Sequence, residues 1–404
     1  MKRSYTFIDL FAGCGGLSEG FYRMRFEALA HVEIDKYACE TLRKRMRHYG
    51  YADADKKVIE HDITADDIID RIDEAIGNKQ VDIIIGGPPC QAYSTAGRVR
   101  DSKGMEKDPR NFLFESYVKI LEHYRPNFFV FENVTGLFTA KVKGESIFKK
   151  VLNALGKTYN LIDDPNVLLH NTADYGVPQI RKRVIIMGVR KDIDKVSVSD
   201  LYDSVVKTHW TPETPENERK GRLKFVDVKQ AIGDLPPVVP GKDASVEDYN
   251  YPCNNRFLKR IGKPGIHPLR DHIARRHNST DRERFTHMIH NHWTFGQLRR
   301  AMPQYEHEHA RLFDNSYVVQ WWDLPSKTII AHIHKDGFQF IHPDETQART
   351  FTVREAARIQ SFPDDFEFAG SRGEKYKQIG NAVPPLFAEA LAKAIKFNLD
   401  RLFS

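Results

Sequence analysis

Three short segments carry the residues best suited to chemistry. In Gly86-Gly-Pro-Pro-Cys-Gln91 two prolines restrict the backbone just before Cys90, which would hold its sulfur in one place. An ordinary cysteine titrates at about 8.5, so Cys90 needs electropositive surroundings to be a ready thiolate at neutral pH. Phe131-Glu-Asn-Val134 supplies Glu132, yet a carboxylate beside a thiolate raises the thiol pKa rather than lowering it. Glu132 therefore suits such a site only if it holds a proton, or shares one, with the substrate. Gln179-Ile-Arg-Lys-Arg183 enters an apolar run, where alternation sends Arg181 and Arg183 to one face. Two cations there could offset the negative charge and bind a phosphate or a carbonyl. Alone, a Pro-Pro-Cys run reads as a rigid turn with a buried cysteine, so its neighbours decide its meaning.

The decisive neighbour is Phe11-Ala-Gly-Cys-Gly-Gly16, which follows the apolar run Tyr5–Leu10 and leads into a helical pattern from Leu17. Its glycines allow a tight turn that brings the backbone and a helix N-terminus close to a ligand. A dinucleotide fingerprint beginning at Gly13 would need glycine at position 18, where this chain has Ser18. Without crowded phosphates, the loop can hold an amino-acid moiety such as that of methionine. Glu33 ends the next strand, 20 residues after Gly13, where an acid can accept both ribose hydroxyls. Asp62, after the third strand, could accept a hydrogen bond from an adenine amino group. Either acid alone reads as a strand-end cap; with the glycine loop they describe a nucleoside site for S-adenosylmethionine. A methyl donor, a thiol nucleophile and a protonated carboxyl group together suit methylation of an unactivated pyrimidine carbon. A thiolate adding to carbon 6 makes carbon 5 electron-rich, provided ring nitrogen 3 is protonated or hydrogen-bonded.

These residues need strand ends to hold them. The first 190 residues alternate apolar runs with amphipathic stretches, as strands and helices of an α/β sheet do. The runs place strands at Tyr5–Leu10, Ala28–Glu33, Val58–His61, Val81–Ile85, Asn127–Phe131 and Arg183–Val189. Helical patterns fill Leu17–Met24, Lys36–His48, Phe112–His123 and Ser146–Leu155. Several strands are almost wholly apolar, as expected when helices cover both faces of a parallel sheet. Between about Asp192 and Leu324, proline and glycine clusters punctuate polar sequence with no sustained period, which reads as an irregular second domain. Helices return at about Val353–Ser361 and from Pro384-Pro385 to about Leu399. The expected division is 1–191, 192–324 and a C-terminal segment, 325–404, returning to the first domain.

Composition is that of a globular protein, with 41% hydrophobic and 29% charged residues and no apolar run long enough to span a membrane. The four cysteines form no CxxC pair, which argues against a disulfide framework or structural zinc. Net charge is +6, and residues 255–311 account for it, with 12 Lys/Arg against 5 Asp/Glu. Such a segment is an electrostatic footprint for a polyanion such as nucleic acid, or else a solvated basic face. His290-Asn-His292 and His307-Glu-His309 invite a metal reading, but no cysteine or further ligand pattern supports one, and no metal is expected.

With these segments in hand, the chain resembles the DNA cytosine-5 methyltransferases of the bacterial restriction–modification type. FAGCGG at 11–16, GGPPCQ at 86–91, ENV at 132–134, QIRKR at 179–183, TVREAARIQSFP at 352–363 and GNAVPP at 380–385 match in order over nearly the whole chain. The resemblance implies a Rossmann-like S-adenosylmethionine-dependent sheet with a smaller target-recognition domain. It makes Cys90 the nucleophile and sets Glu132 against ring nitrogen 3 and the exocyclic amine. Arg181 would lie near the cytosine carbonyl, with Arg183 in support. Phe11, Ala12, Gly13, Gly15, Gly16, Leu17, Glu33, Asp62, Ile63 and Pro88 would line the cofactor site, with Asn381 and Ala382 returning beside the first loop. Ser94 would approach the target phosphate, and the charged stretch to Arg110, including Arg98, would close over nucleic acid. Tyr93 departs from the phenylalanine expected there; it adds a hydroxyl and puts nothing catalytic in doubt. Arg275, Arg276, Arg282, Gln297, Arg299 and Arg300 are candidates for contacts to bases and phosphates in the recognition region. The implied partner is double-stranded DNA, with a cognate restriction endonuclease as functional counterpart, in the cytoplasm at the nucleoid. The alternatives are an RNA methyltransferase and a non-catalytic DNA-binding regulator; the intact Cys90, Glu132 and Arg181 argue against the second.

Overall fold

The computed structural model describes residues 3–89, 113–142, 144–240, 246–251, 254–262, 265–306 and 316–404. Cys90, Ser94 and Arg98 lie outside the described residues. The chain packs as two compact units, one of Met1–Tyr175, Lys182–Thr208 and Val383–Ser404, the other of Gly176–Arg181 and His209–Ala382. These divide the chain differently from the expected boundaries: position 192 falls inside the first unit, and 325–382 go with the second.

The first unit is built on a sheet whose strands are β1 (Thr6–Leu10), β2 (Glu27–Glu33), β3 (Val58–Glu60), β4 (Ile83–Gly86), β5 (Phe128–Val134), β6 (Tyr159–Asn160), β7 (Leu169–Asn171) and β8 (Lys182–Arg190). Their order is β3-β2-β1-β4-β5-β8-β6, with β7 also on β8. The first five run parallel, while β8 is antiparallel to β5. Connections from β1 and β4 leave in opposite directions, so the crevice beyond their carboxyl ends is the switch point where open α/β sheets bind ligands. Every residue of Ile83–Gly86 is buried, as the run of isoleucines requires.

Helices α1 (Gly16–Arg23), α2 (Lys36–His48), α3 (Ile68–Ile76), α4 (Leu113–Tyr124) and α5 (Ile147–Leu155) accompany the strands. Asp35 caps α2 by accepting from the Tyr37 and Ala38 N–H groups. The last helix of the chain, Pro385–Leu402, starts on a proline and packs along α1. Their approach is so close that a Cβ on Gly20 would lie 2.2 Å from the Ala388 carbonyl carbon.

The second unit is more regular than its sequence suggests. It contains an antiparallel hairpin, Val246–Tyr251 with Gly265–Leu269, and the helices Ser279–His290 and Phe295–Ala301. Phe285, Met288, Ile289, Phe295, Leu298, Tyr317 and Ile341 form its apolar cluster. Phe285, Met288 and Ile289 have helical spacing, but they are a narrow stripe in a polar segment, too weak a period to stand out. Helix Val353–Ile359 is buried along its whole length, and its Arg358 pairs with Asp364 at 2.8 Å and Asp234 at 2.6 Å. Helix Arg372–Asn381, absent from the expectation, follows it. Among the described residues no helix is long and apolar enough to cross a membrane.

Gly20→Ala is expected to force α1 away from the last helix at a cost of about 1–3 kcal/mol. Thermal unfolding would register this as a lower midpoint, and an unchanged midpoint would show that the helices can separate freely.

Candidate active site

Four strand ends converge at one edge of the first unit's sheet. Gly86 ends β4 in register with Leu10 of β1 and Phe131 of β5, which sets the Pro88 loop between the glycine loop and Glu132. A Cβ at Gly86 would lie 2.4 Å from the Leu10 carbonyl oxygen, so only glycine lets β4 sit there. Gly87 has a chemical neighbour, since a Cβ on it would meet Glu132 Oε2 at 2.7 Å. Asn133, next to Glu132, donates from Nδ2 to the Pro88 carbonyl at 3.1 Å and fastens this loop to β5 just before Cys90. The sequence reading gave the asparagine no role, although it stands inside the matched ENV segment.

Glu132 is ion-paired with Arg183, Nε to Oε1 at 2.8 Å, both side chains only slightly exposed. Arg183 also donates to the Lys182 carbonyl at 2.8 Å. Burial pulls the Arg183 guanidinium down from its ordinary range and the Glu132 carboxylate opposes this. Arg181 was expected to share this face with Arg183, and it does a different job. It is almost fully buried, donating to the carbonyls of Ile329 at 2.5 Å and of Gly380 and Ala382 at 3.1 Å each. Strand alternation does not apply to the pair because β8 begins at Lys182, leaving Arg181 in the preceding segment of the second unit.

The glycine loop is strained in a useful way. Phe11, Gly13 and Gly15 all take positive φ, at 57°, 54° and 88°. The Gly13 N–H donates to Glu33 Oε2 at 2.7 Å, while Oε1 accepts from the Ile34 and Asp35 N–H groups at 2.9 and 2.8 Å. Burial pushes the Glu33 carboxyl up, and these three N–H donors work against it. Nothing lies within 4 Å of the Cβ position of Gly13, so the loop faces open space there. Ala12, Gly16, Leu17, Ile63 and Pro88 are buried around these strand ends. Asp62 is exposed and accepts from Thr64 N–H at 2.9 Å and Oγ1 at 2.8 Å, bonds that hold its carboxyl below the usual range.

The family model for C-5 cytosine-specific DNA methylases matches residues 5–397. The chain belongs to that family. Among curated relatives, it is 33% identical to the type II methyltransferase M.Bpa9945I of Bacillus paralicheniformis, covering 96% of this chain and 98% of that one. It is likewise 33% identical to the type II methyltransferase M.DdeI of Desulfomicrobium norvegicum, over 98% and 89%. Among solved structures, the Dnmt2 methyltransferase of S. pombe superposes with a TM-score of 0.54 at 15% identity over 98% and 99% of the two chains, a likeness of fold. This C-5 DNA methylase is therefore a DNA methyltransferase specific for cytosine carbon 5, with the expected α/β architecture.

The candidate DNA contacts of the methylase divide sharply. Arg275 is buried, donating to the Lys335 carbonyl at 2.9 Å and to that of Ile333, with its guanidinium 4.3 Å from the Tyr376 ring centre. Arg299 is buried too, and pairs with Glu306 at 3.1 Å. Both are corrections: spent on internal carbonyls and carboxylates, neither is presented to a groove. Arg276, Arg282 and Arg300 are exposed. Gln297 is exposed but caps its own helix through Thr294. Asn381 and Ala382 end helix Arg372–Asn381 in the second unit, where the Ala382 carbonyl also accepts from Gln360 at 2.5 Å.

Gly87→Ala is expected to displace the Glu132 carboxylate and lower kcat about 10- to 100-fold, as misplacing a reacting group by about 1 Å does. Folding should survive, because only a side-chain end has to move. Wild-type turnover in this variant would mean that the Glu132 position is not critical.

Proposed function

We propose that the chain transfers a methyl group from S-adenosylmethionine to carbon 5 of a cytosine flipped out of a specific duplex DNA sequence, through a covalent bond to Cys90. The observation that carries this reading is the Glu132–Arg183 ion pair beside the Pro88 segment that leads to Cys90. The open space over Gly13, with its N–H and the Glu33 carboxylate at hand, suits the amino-acid and ribose parts of the cofactor. Bound there, S-adenosylmethionine supplies an electrophilic methyl group on a positively charged sulfur.

The chain's own residues would act as follows. Cys90 Sγ bonds to carbon 6, the ring electron pair moves towards nitrogen 3, and carbon 5 becomes the nucleophile. Arg183 holds the Glu132 side chain in place before substrate arrives, so that its oxygen can accept from the exocyclic amine. As negative charge reaches nitrogen 3, a proton that Glu132 takes up from solvent as the cytosine binds is shared with that nitrogen and stabilises the adduct. After methylation a water molecule takes the carbon 5 proton, the C–H electron pair restores the 5,6 double bond and the carbon 6–sulfur bond breaks to release the Cys90 thiolate. Arg183 rather than Arg181 is the cation placed for the cytosine carbonyl, since Arg181 is committed to backbone carbonyls. Flipping the base costs a few kcal/mol, which phosphate contacts offset. Arg276, Arg282 and Arg300 are proposed for those contacts, with Ser94 and Arg98. The type II relatives support a role as the modification enzyme of a restriction–modification system, working opposite a cognate endonuclease in the cytoplasm.

The test incubates wild type, Cys90→Ala and Arg183→Leu with tritiated S-adenosylmethionine and either mixed-sequence DNA or tRNA. Label in DNA 5-methylcytosine, abolished by Cys90→Ala and reduced at least about 100-fold by Arg183→Leu, is expected. Bisulfite sequencing of the product then gives the target sequence. Label in tRNA alone would overturn the substrate, and full activity in Cys90→Ala would overturn the covalent route.

A further inference from the structure

Beneath the glycine loop lies an acid that the mechanism leaves without a role. Asp9 is buried near the end of β1, in register with His31 of β2 and Ile85 of β4. Its Oδ2 accepts a hydrogen bond from the hydroxyl of Ser18, which is itself fully buried in the first turn of α1. The two residues stand on either side of the loop. Gly15, the N-cap of α1, has no side chain with which to hold the helix start. The Asp9–Ser18 bond thus ties strand to helix across the base of the loop.

The loop needs such a tie. Positive φ at Phe11 is costly for a residue with a bulky side chain, and a released loop would relax towards extended backbone. Behind Ser18, α1 is already anchored: Glu19 accepts from Arg45 Nε and Nη2 at 2.8 Å each, and Gly20 rests on the last helix. Asp9 fixes the front of the same helix. Between these anchors the Gly13 N–H is held on Glu33 at 2.7 Å.

We propose that Asp9 is a positioning residue for the cofactor: through Ser18 it fixes the base of the glycine loop, and so presents the Gly13 N–H and the Glu33 carboxylate to S-adenosylmethionine. The proposal rests on the reading of that loop as the cofactor site. The groups that face or feel Asp9 are Glu33 on β2, Tyr22 on α1, Tyr117 on α4 and its register neighbour His31, none of them cationic. Burial pushes the Asp9 carboxyl up to about 8, the Ser18 bond lowers it in part and the charge of Glu33 adds to the rise. At neutral pH the group is then largely a carboxylic acid, and asparagine is its near match in shape and charge. In the unfolded chain Asp9 ionises at about 3.9, so the native state loses stability from this group as pH rises from there to about 8, and Asn at this position removes that loss.

The experiment measures S-adenosylmethionine binding to the full chain by calorimetry, beside steady-state methylation. Asp9→Leu and Ser18→Ala are each expected to weaken binding about tenfold or more, and the double variant no further than the weaker single, as for two ends of one bond. KM for DNA should move by less than about threefold, and kcat at saturating cofactor likewise. Asp9→Asn should recover binding to within about threefold of wild type, and its advantage in unfolding midpoint should grow between about pH 5 and 8. Unchanged cofactor binding in Ser18→Ala and Asp9→Leu overturns the proposal, as does a folded Asp9→Asn that binds as weakly as Asp9→Leu. Should Asp9→Leu fail to fold, Ser18→Ala and Asp9→Asn decide. Absence of binding in wild type would instead overturn the reading of the loop.

Discussion

Glu132 and Arg183 can meet only because β8 runs against β5. All the strands before β8 in the central order are parallel, so each delivers a loop at its carboxyl end and takes its amino end away from the chemistry. The reversal at β8 puts the start of that strand beside the end of β5, with Arg183 in register with Val134 and Ile185 with Glu132. A cation is thereby brought to an edge that otherwise collects acids: Glu33, Asp62 and Glu132. Without it, Glu132 would stand partly buried with no cation to balance its charge. Asn133 serves the same edge by a neutral route, holding the Pro88 carbonyl where a further charge would upset the balance.

The parallel strands were readable from the sequence because each is a short apolar run, and the expected Tyr5–Leu10, Ala28–Glu33 and Val81–Ile85 fall on β1, β2 and β4 to within one or two residues at each end. The glycine loop after β1 and the acid that ends β2 were readable for the same reason. Arg181 and Arg183 were not separable, because alternation presumes that both belong to the strand, and the strand starts between them. The second unit was misjudged for want of amphipathicity. Its helices bury a few aromatic and aliphatic residues against one cluster and expose the rest, so their period is faint in a polar stretch. Asp9 was overlooked as part of an apolar strand, although a buried acid there is unusual in itself.

Counting charge overstated the nucleic-acid footprint. The basic stretch includes Arg275 and Arg299, whose guanidinium groups face inward. Arg349, Arg354 and Arg358 lie outside that stretch and are also buried, with Arg349 paired to Glu355 at 2.7 Å. Burial pushes the Glu355 carboxyl up, but the positive charge of Arg349 works against it and the group is held well below the usual carboxylate range. Arginine suits this role because its planar fork meets a carboxylate or several carbonyls at once and stays charged when desolvated. A positive segment can therefore be a scaffold as easily as a footprint; of the five arginines singled out from the sequence, Arg276, Arg282 and Arg300 are the exposed ones.

The cofactor loop shows how strain and binding can be reconciled. Its three positive φ values would be unstable in an isolated turn, most of all at Phe11. Here Glu33 gathers three backbone N–H groups on one carboxylate, two of them from the turn that opens α2 and one from the loop. The side chain expected to meet a ribose thus already orders the protein around it. A ligand hydroxyl that approaches Glu33 finds a carboxylate fixed in place, and little conformational freedom is left to lose on binding. Preorganisation of this kind explains why the loop tolerates an unfavourable backbone: the strain is borne once, in folding, by a sheet edge and a helix that are themselves firmly packed.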